Sequence, residues 1–81
     1  MEQPQQPMRT LQKFVGKHVI IKLKNNKTLR GVLVNYDDCM NVILDDGEEL
    51  DVKGENVVVK YGKLLVRGTQ ILYITSEEAL G

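Results

Sequence analysis

The chain has 81 residues, with eleven basic and eleven acidic side chains, one cysteine and one histidine. A single cysteine excludes an intrachain disulfide, and one cysteine with one histidine offers no zinc-ligand cluster. A domain of this length buries only about 60% of the surface that its unfolded chain exposes, so we expect oligomerisation to supply the missing stability.

The polarity of the chain bears on its location and on its partners. No apolar run approaches the ~20 residues of a membrane helix, and residues 1–7 are too polar for a secretory signal. With the free cysteine, this favours a reducing, cytoplasmic setting without a membrane partner. The zero net charge gives no overall positive field. Basic residues crowd the first third of the chain and acidic residues the middle, which indicates either two oppositely charged faces or ordinary surface ion pairs.

The N-terminal part contains the one predicted helix. Residues 1–7 are rich in Gln and Pro and have nothing to bury, so we expect a flexible tail there. Apolar residues then recur at spacings of three and four, at Met8, Leu11, Phe14 and Val15. This spacing predicts a short helix, which must lie on a sheet because so short a helix is not stable alone.

The rest of the chain reads as five strands joined by short turns. The first two strands are expected at 18–24 and 28–36, with a bend at Gly31. After a polar loop at 37–41, a third strand covers 42–44 and a turn follows at 46–47. A fourth strand, kinked at 53–55, runs from 50 to 60 and turns at 61–63. The fifth covers 64–74, interrupted at 67–68, and a C-terminal tail follows at 77–81.

This order of elements predicts a mainly β fold, a short N-terminal helix followed by a strongly bent five-stranded antiparallel sheet that forms a small open barrel. The predicted fourth and fifth strands are apolar on both faces, at 57–59 and 71–74. Exposed apolar edge strands aggregate unless another strand pairs with them. Pairing of the fourth strand of one copy with the fifth of the next closes a ring when the rotation allows it.

With these residues in view, the chain resembles the Sm and Sm-like (Lsm) family, most closely its small archaeal members. The resemblance covers residues 11–74 and rests on two motifs, which are Tyr36-Asp37-x-x-Met40-Asn41 within 16–44 and Val66-Arg67-Gly68. It implies an Sm-like domain at 8–76 and a ring of copies, usually seven and less often six. It also implies binding of single-stranded uridine-rich RNA at the pore, one nucleotide per subunit, without a cofactor.

The residues of the two motifs suit that chemistry. The Asn41 amide presents one donor edge and one acceptor edge, which match O4 and N3–H of uracil. A flipped amide matches cytosine equally well, so we expect Asp37 to accept from the Asn41 amide and hold it. Arg67 can stack on a base and offset phosphate charge. Gly68 allows close approach of a ligand, and the Thr69 N–H can donate to the remaining carbonyl.

Other residues of the predicted interface have alternative roles. Cys39 stands where many archaeal relatives have histidine and other Sm proteins often have an aromatic ring, so we expect weaker stacking of the base. Met40 is expected to anchor the loop in the core. Tyr36 either belongs to the core or stacks a base, and Arg9 either tracks RNA or lies on a solvated helix face. Asp37 and Asn41 alternatively satisfy only the loop backbone, and Arg67 is alternatively a surface ion-pair partner.

Three classes of function follow. The first is a ring that binds RNA in RNA processing or as a chaperone, with RNA-processing proteins as further partners. The second is a ring that serves as a protein-assembly scaffold with secondary RNA binding. Salt dependence separates these two, because salt weakens phosphate contacts and leaves apolar contacts intact. The third is an enzyme, for which the sequence offers no catalytic or metal-binding constellation.

Overall fold

The computed structural model describes residues 8–77, and their side chains from residue 11 onward. The predicted tails at 1–7 and 77–81 therefore lie outside the described residues, except for Glu77. The elements in chain order are α1 (Met8–Phe14), β1 (His18–Leu23), β2 (Thr28–Tyr36), β3 (Val42–Leu50), β4 (Val57–Val66), a 3₁₀ turn (Gly68–Gln70) and β5 (Ile71–Ser76).

The five strands form one antiparallel sheet in the order β4-β3-β2-β1-β5. Both the mainly β class and the placement of the two apolar strands at the edges are confirmed. The paired strands β2 and β3 are joined by the 37–41 loop, next to the pair Tyr36 and Val42. At the opposite end of strands β2 and β3, Thr28 lies opposite Leu50, beside the β1–β2 turn.

Two predicted turns are wrong, because both segments lie inside strands. Residues 46–47 belong to β3 and residues 61–63 to β4, with Gly47 opposite Gly62. The pairing register shifts on both sides of Gly47, and Asp46 and Gly62 have positive φ angles of 53° and 76°. Glycine and aspartate therefore form bulges that bend two long strands. Residue types that favour turns also favour bulges, which is why the turns were predicted here. The reversal between β3 and β4 lies at 51–56, so β4 starts seven residues later than predicted.

The expected bend at Gly31 is confirmed. The β2–β3 register shifts between Arg30 and Val32, and β2 passes very close to β3 at this point. A Cβ atom on Gly31 would lie 2.9 Å from the Asp45 carbonyl oxygen. Glycine is therefore required here for the strands to approach each other.

The core lies inside the bent sheet and is closed by α1. Alternate residues of β1 and β2 are buried, as half-buried strands require. The helix ends at Phe14, so Val15 is exposed and does not extend the apolar stripe. The largest fully buried side chains are Leu11, Val19, Ile21, Leu33, Val42, Leu44 and Ile74.

The two edge strands carry much of the exposed apolar surface. Neither β4 nor β5 has a second neighbour in the sheet. Their exposed large apolar side chains are Val57, Val58, Val59, Tyr61 and Leu65 on β4, and Leu72 and Tyr73 on β5. Such edges need a partner strand to be stable in water. Within residues 8–77, no helix is long and apolar enough to cross a membrane.

Candidate nucleic-acid interface

The sheet register brings the two predicted motifs together. The 37–41 loop precedes Val42, and the 67–70 segment, which joins β4 to β5, follows Val66. Val42 and Val66 are paired in the sheet. Residues that are about thirty positions apart in sequence therefore meet at one corner of the domain.

Asp37 organises the 37–41 loop. Its Oδ1 accepts the N–H groups of Cys39 and Asn41 at 2.9 and 3.0 Å, and its Oδ2 accepts the Asn41 Nδ2 at 3.0 Å. The Asn41 side-chain hydrogen bond is the main reason that the pKa of Asp37 lies below its ordinary value of 3.8, followed by the backbone bond from Asn41. The expected bond between Asp37 and the Asn41 amide is thus present, together with the backbone role that was its alternative.

Asn41 is held at both ends of its amide. Nδ2 donates to Asp37, and Oδ1 accepts the Gly68 N–H at 2.8 Å. Flipping the amide would place Nδ2 against the Gly68 N–H and Oδ1 against the Asp37 carboxylate, two repulsive contacts. The orientation is therefore fixed, with one N–H and one oxygen lone pair of the half-buried side chain left for a ligand.

Gly68 is needed for contact between the two loops, and its close approach to a ligand stays a prediction. A Cβ atom at this position would overlap the Cys39 carbonyl oxygen and lie 2.9 Å from the Met40 Cβ. Both neighbours belong to the 37–41 loop, and one of them is backbone. Only glycine lets the 67–70 segment come this close.

Arg67 and Thr69 flank that glycine and are exposed. None of the ion pairs found within residues 8–77 uses Arg67, so the surface-pair alternative has no support there. The hydrogen bonds that form the 3₁₀ turn use the N–H groups of Gln70 and Ile71. The Thr69 N–H is not one of them, and it is available for the donor role that we predict.

The remaining predicted residues are placed as follows. Cys39 is an exposed free thiol beside Asp37, and Met40 packs against the core as expected. Tyr36 is half-buried against the same core, as expected if it is a core residue. Base stacking by Tyr36 stays a prediction. The Arg9 side chain lies outside the described part of the chain.

A second loop repeats the hydrogen bonds of the first and was not predicted from the sequence. In the 51–56 loop, Asp51 Oδ1 accepts the N–H groups of Glu55 and Asn56 at 3.0 and 3.4 Å, and Oδ2 accepts the Asn56 Nδ2 at 2.8 Å. These bonds, the Glu55 backbone bond first, lower the pKa of Asp51. The signal was an Asp followed by an Asn at similar spacing. No segment equivalent to 67–70 donates to Asn56 within residues 8–77.

We expect the Asp37 pKa to depend on Asn41. Replacing Asn41 by alanine removes the largest cause of the lowered value, so the pKa should rise towards 3.8. A folded-state pKa below the unfolded one means that this carboxylate's contribution to stability is complete above the unfolded value and lost as the pH falls through the folded one. Titration of the carboxyl ¹³C resonance by NMR measures both proteins. An unchanged midpoint in the variant would contradict the assignment.

No group of three or more His, Cys, Asp or Glu side chains within the described residues is arranged to hold a metal ion. The polar groups that do converge, on the 37–41 loop and the 67–70 segment, are hydrogen-bond donors and acceptors and one guanidinium. This set, with the Arg67 guanidinium exposed beside it, suits recognition of a planar, hydrogen-bonding ligand.

Known proteins that are similar to this chain include archaeal Sm and Sm-like proteins. An snRNP Sm-like protein of Thermococcus kodakarensis is 38% identical over 74 residues, which cover 91% of this chain and 95% of that protein. A Pyrococcus abyssii Sm protein, solved in complex with a uridine heptamer, is 34% identical. The match covers 89% of this chain and 99% of that one, with a TM-score of 0.80. A heptameric archaeal Sm protein is 39% identical, covers 84% and 96% of the two chains, and has a TM-score of 0.74.

A family model described as the LSM domain matches residues 9–76, nearly the whole of the described chain. The fold, the two motifs and the archaeal relatives agree with that match. This chain belongs to the LSM domain family of Sm-like proteins.

Proposed function

We propose that this chain assembles into a ring of seven copies and binds single-stranded, uridine-rich RNA through the 37–41 loop and residues 67–69. The related Sm protein in complex with a uridine heptamer and the heptameric archaeal Sm protein support the ligand and the assembly. The observation on this chain that carries the proposal is the fixed amide of Asn41, bonded to Asp37 at one end and to Gly68 at the other.

The fixed amide predicts a preference for uracil over cytosine. Uracil presents an N3–H donor beside an O4 acceptor, which pair with the free lone pair of Asn41 Oδ1 and the free N–H of Nδ2. Cytosine presents an acceptor and a donor at the same positions, so both contacts become repulsive. A site whose polar groups are left unpaired by the wrong ligand discriminates strongly against it.

Arg67 and Thr69 complete the proposed pocket from the other loop. The exposed Arg67 guanidinium stacks on the base and offsets the phosphate charge, a role that lysine fills less well. The Thr69 N–H donates to the second carbonyl of uracil. Cys39, which has no π-face, contributes little stacking. The pocket therefore recognises uracil by hydrogen bonds and by one stacking face.

The edges of the sheet support the ring. In each copy β4 and β5 lack an outer neighbour and expose apolar side chains. Antiparallel pairing of β4 with β5 of the next copy satisfies the backbone groups of both edges and buries those side chains. A head-to-tail contact of this kind closes into a ring and repeats the pocket once per subunit.

The proposed role in the cell is RNA binding without catalysis. The proposed ring holds RNA for processing or acts as an RNA chaperone, and RNA-processing proteins are further partners. The exposed, unpaired thiol of Cys39 fits a reducing cytoplasm.

The test is fluorescence anisotropy of labelled oligouridine and oligocytidine with rings confirmed by light scattering. We expect the wild type to prefer oligouridine. Asn41→Ala should lose that preference and bind oligouridine at least tenfold more weakly, a loss of about 1.4 kcal/mol or more. Binding to oligouridine should weaken with added salt, because phosphate contacts release counterions.

Asn56→Ala is the matched control, because Asn56 makes the same hydrogen bonds in the 51–56 loop without a partner loop. It should bind oligouridine like the wild type. Equal loss in both variants would mean that any disturbed loop weakens binding. Intact wild-type rings that bind neither oligomer would refute the RNA function and favour a protein-assembly scaffold.

A further inference from the structure

The 67–70 segment has a second position of consequence besides the proposed pocket. It is the only covalent link between β4 and β5, and these are the two edges of the sheet. It leaves β4 at Val66, beside the start of β3, and enters β5 at Ile71, beside the end of β1. Four residues therefore cross directly from one edge of the sheet to the other, which are otherwise joined only through β3, β2 and β1.

The segment is held on both sides as it crosses. On one side the Gly68 N–H donates to Asn41 Oδ1 at 2.8 Å, and Gly68 lies against the Cys39 carbonyl. On the other side the Gln70 carbonyl accepts the Lys24 N–H from the β1–β2 turn at 2.9 Å. Inside the segment the Gln70 N–H donates to the Arg67 carbonyl at 3.0 Å. Little freedom remains for the segment to tilt one edge relative to the other.

The angle between the two edges of a subunit determines how a ring closes. When each copy pairs one edge with the next, the rotation from copy to copy follows from the angle within a copy. Closure with seven copies needs a rotation of about 51° per subunit, and closure with six needs about 60°. The two closures therefore differ by only about 9° of rotation per subunit.

We propose that the contact between Asn41 and Gly68 fixes the angle between β4 and β5 and thereby selects the number of subunits in the ring. The inference rests on the proposed ring and adds a second role for Asn41. In this proposal Asn41 both binds the base and positions the 67–70 segment, which determines the number of subunits. The hydrogen bond from Gly68 to Asn41 therefore contributes to the pocket and to the ring geometry.

The experiment is native mass spectrometry of the RNA-free full chain, which counts subunits directly. Gly68→Ala forces the segment away from Cys39, since its Cβ would overlap the carbonyl oxygen. Asn41→Ala removes the hydrogen bond without adding a clash. We expect a single ring size for the wild type. For both variants we expect a shift by at least one subunit mass or a mixture of ring sizes.

Asp38→Ala is the matched control, because it truncates an exposed side chain of the same loop that takes no part in the contact. It should keep the wild-type number. Circular dichroism reports the fold of each variant, and if Gly68→Ala is unfolded, Asn41→Ala decides. Rings of unchanged number in the folded variants, or folded single subunits in place of rings, overturn the inference. A wild type that forms no ring overturns the proposed assembly itself.

Discussion

Replacing Cys39 by histidine is expected to tighten the binding of oligouridine. Cys39 is exposed in the 37–41 loop, where the proposed pocket lacks a second stacking face. One base–aromatic stack contributes about 1–3 kcal/mol, which corresponds to between about fivefold and about 150-fold in affinity per base. An oligomer that occupies several pockets should gain at least the lower value. Anisotropy of labelled oligouridine at fixed salt measures the change.

Cys39→Ala is the control for this prediction. It removes the thiol without adding a ring and keeps the Cys39 backbone N–H that Asp37 accepts, so its affinity should stay close to that of the wild type. The preference for oligouridine over oligocytidine should persist in both variants, because the proposal assigns it to Asn41, which both variants keep. Unchanged or weaker binding by Cys39→His would show that position 39 does not face the base.

Local patterns predicted most of the fold. Alternation of apolar residues identified β1 and β2, and the bend at Gly31 was expected from a glycine within a strand. The same rule failed at Asp46-Gly47 and Tyr61-Gly62-Lys63, where turn-forming residues make bulges. A bulge and a turn use the same residue types, and only the pairing of Gly47 with Gly62 across two strands distinguishes them. That pairing is a property of the sheet, and no local pattern contains it.

The candidate site, like the fold, was predicted from the sequence only where its contacts are local. The bond from Asn41 to Asp37 spans four residues and follows from a short polar loop, so the sequence indicated it. The bond from Gly68 to Asn41 spans 27 residues and exists because Val42 pairs with Val66. Chemistry alone suggested that Gly68 faces a ligand. The structure adds a contact that chemistry alone did not suggest, because the missing side chain of Gly68 makes room for the Cys39 carbonyl.

Replacing Val58 by lysine is expected to dissociate the proposed ring. Val58 lies on the edge strand β4 and is 54% exposed in the single subunit, next to Val57 and Val59, which are exposed too. In a ring this strand meets β5 of the next copy, so the new ammonium would be buried without a partner. Such a charge costs about 3–5 kcal/mol, a hundredfold or more in the affinity of each interface. Analytical ultracentrifugation should find folded single subunits at concentrations where the wild type is a ring.

Val52→Lys is the control that distinguishes the effect of the edge position from the effect of an added charge. It makes the same change at a residue that is 81% exposed in the 51–56 loop. A loop side chain this exposed keeps its lysine in water, and the ring should persist. The dissociated Val58→Lys subunit should also bind oligouridine more weakly than the ring, since one pocket replaces several on the same strand. A ring of unchanged mass in Val58→Lys would exclude Val58 from the interface. The assembly would then use the apolar side chains of β5 against another surface.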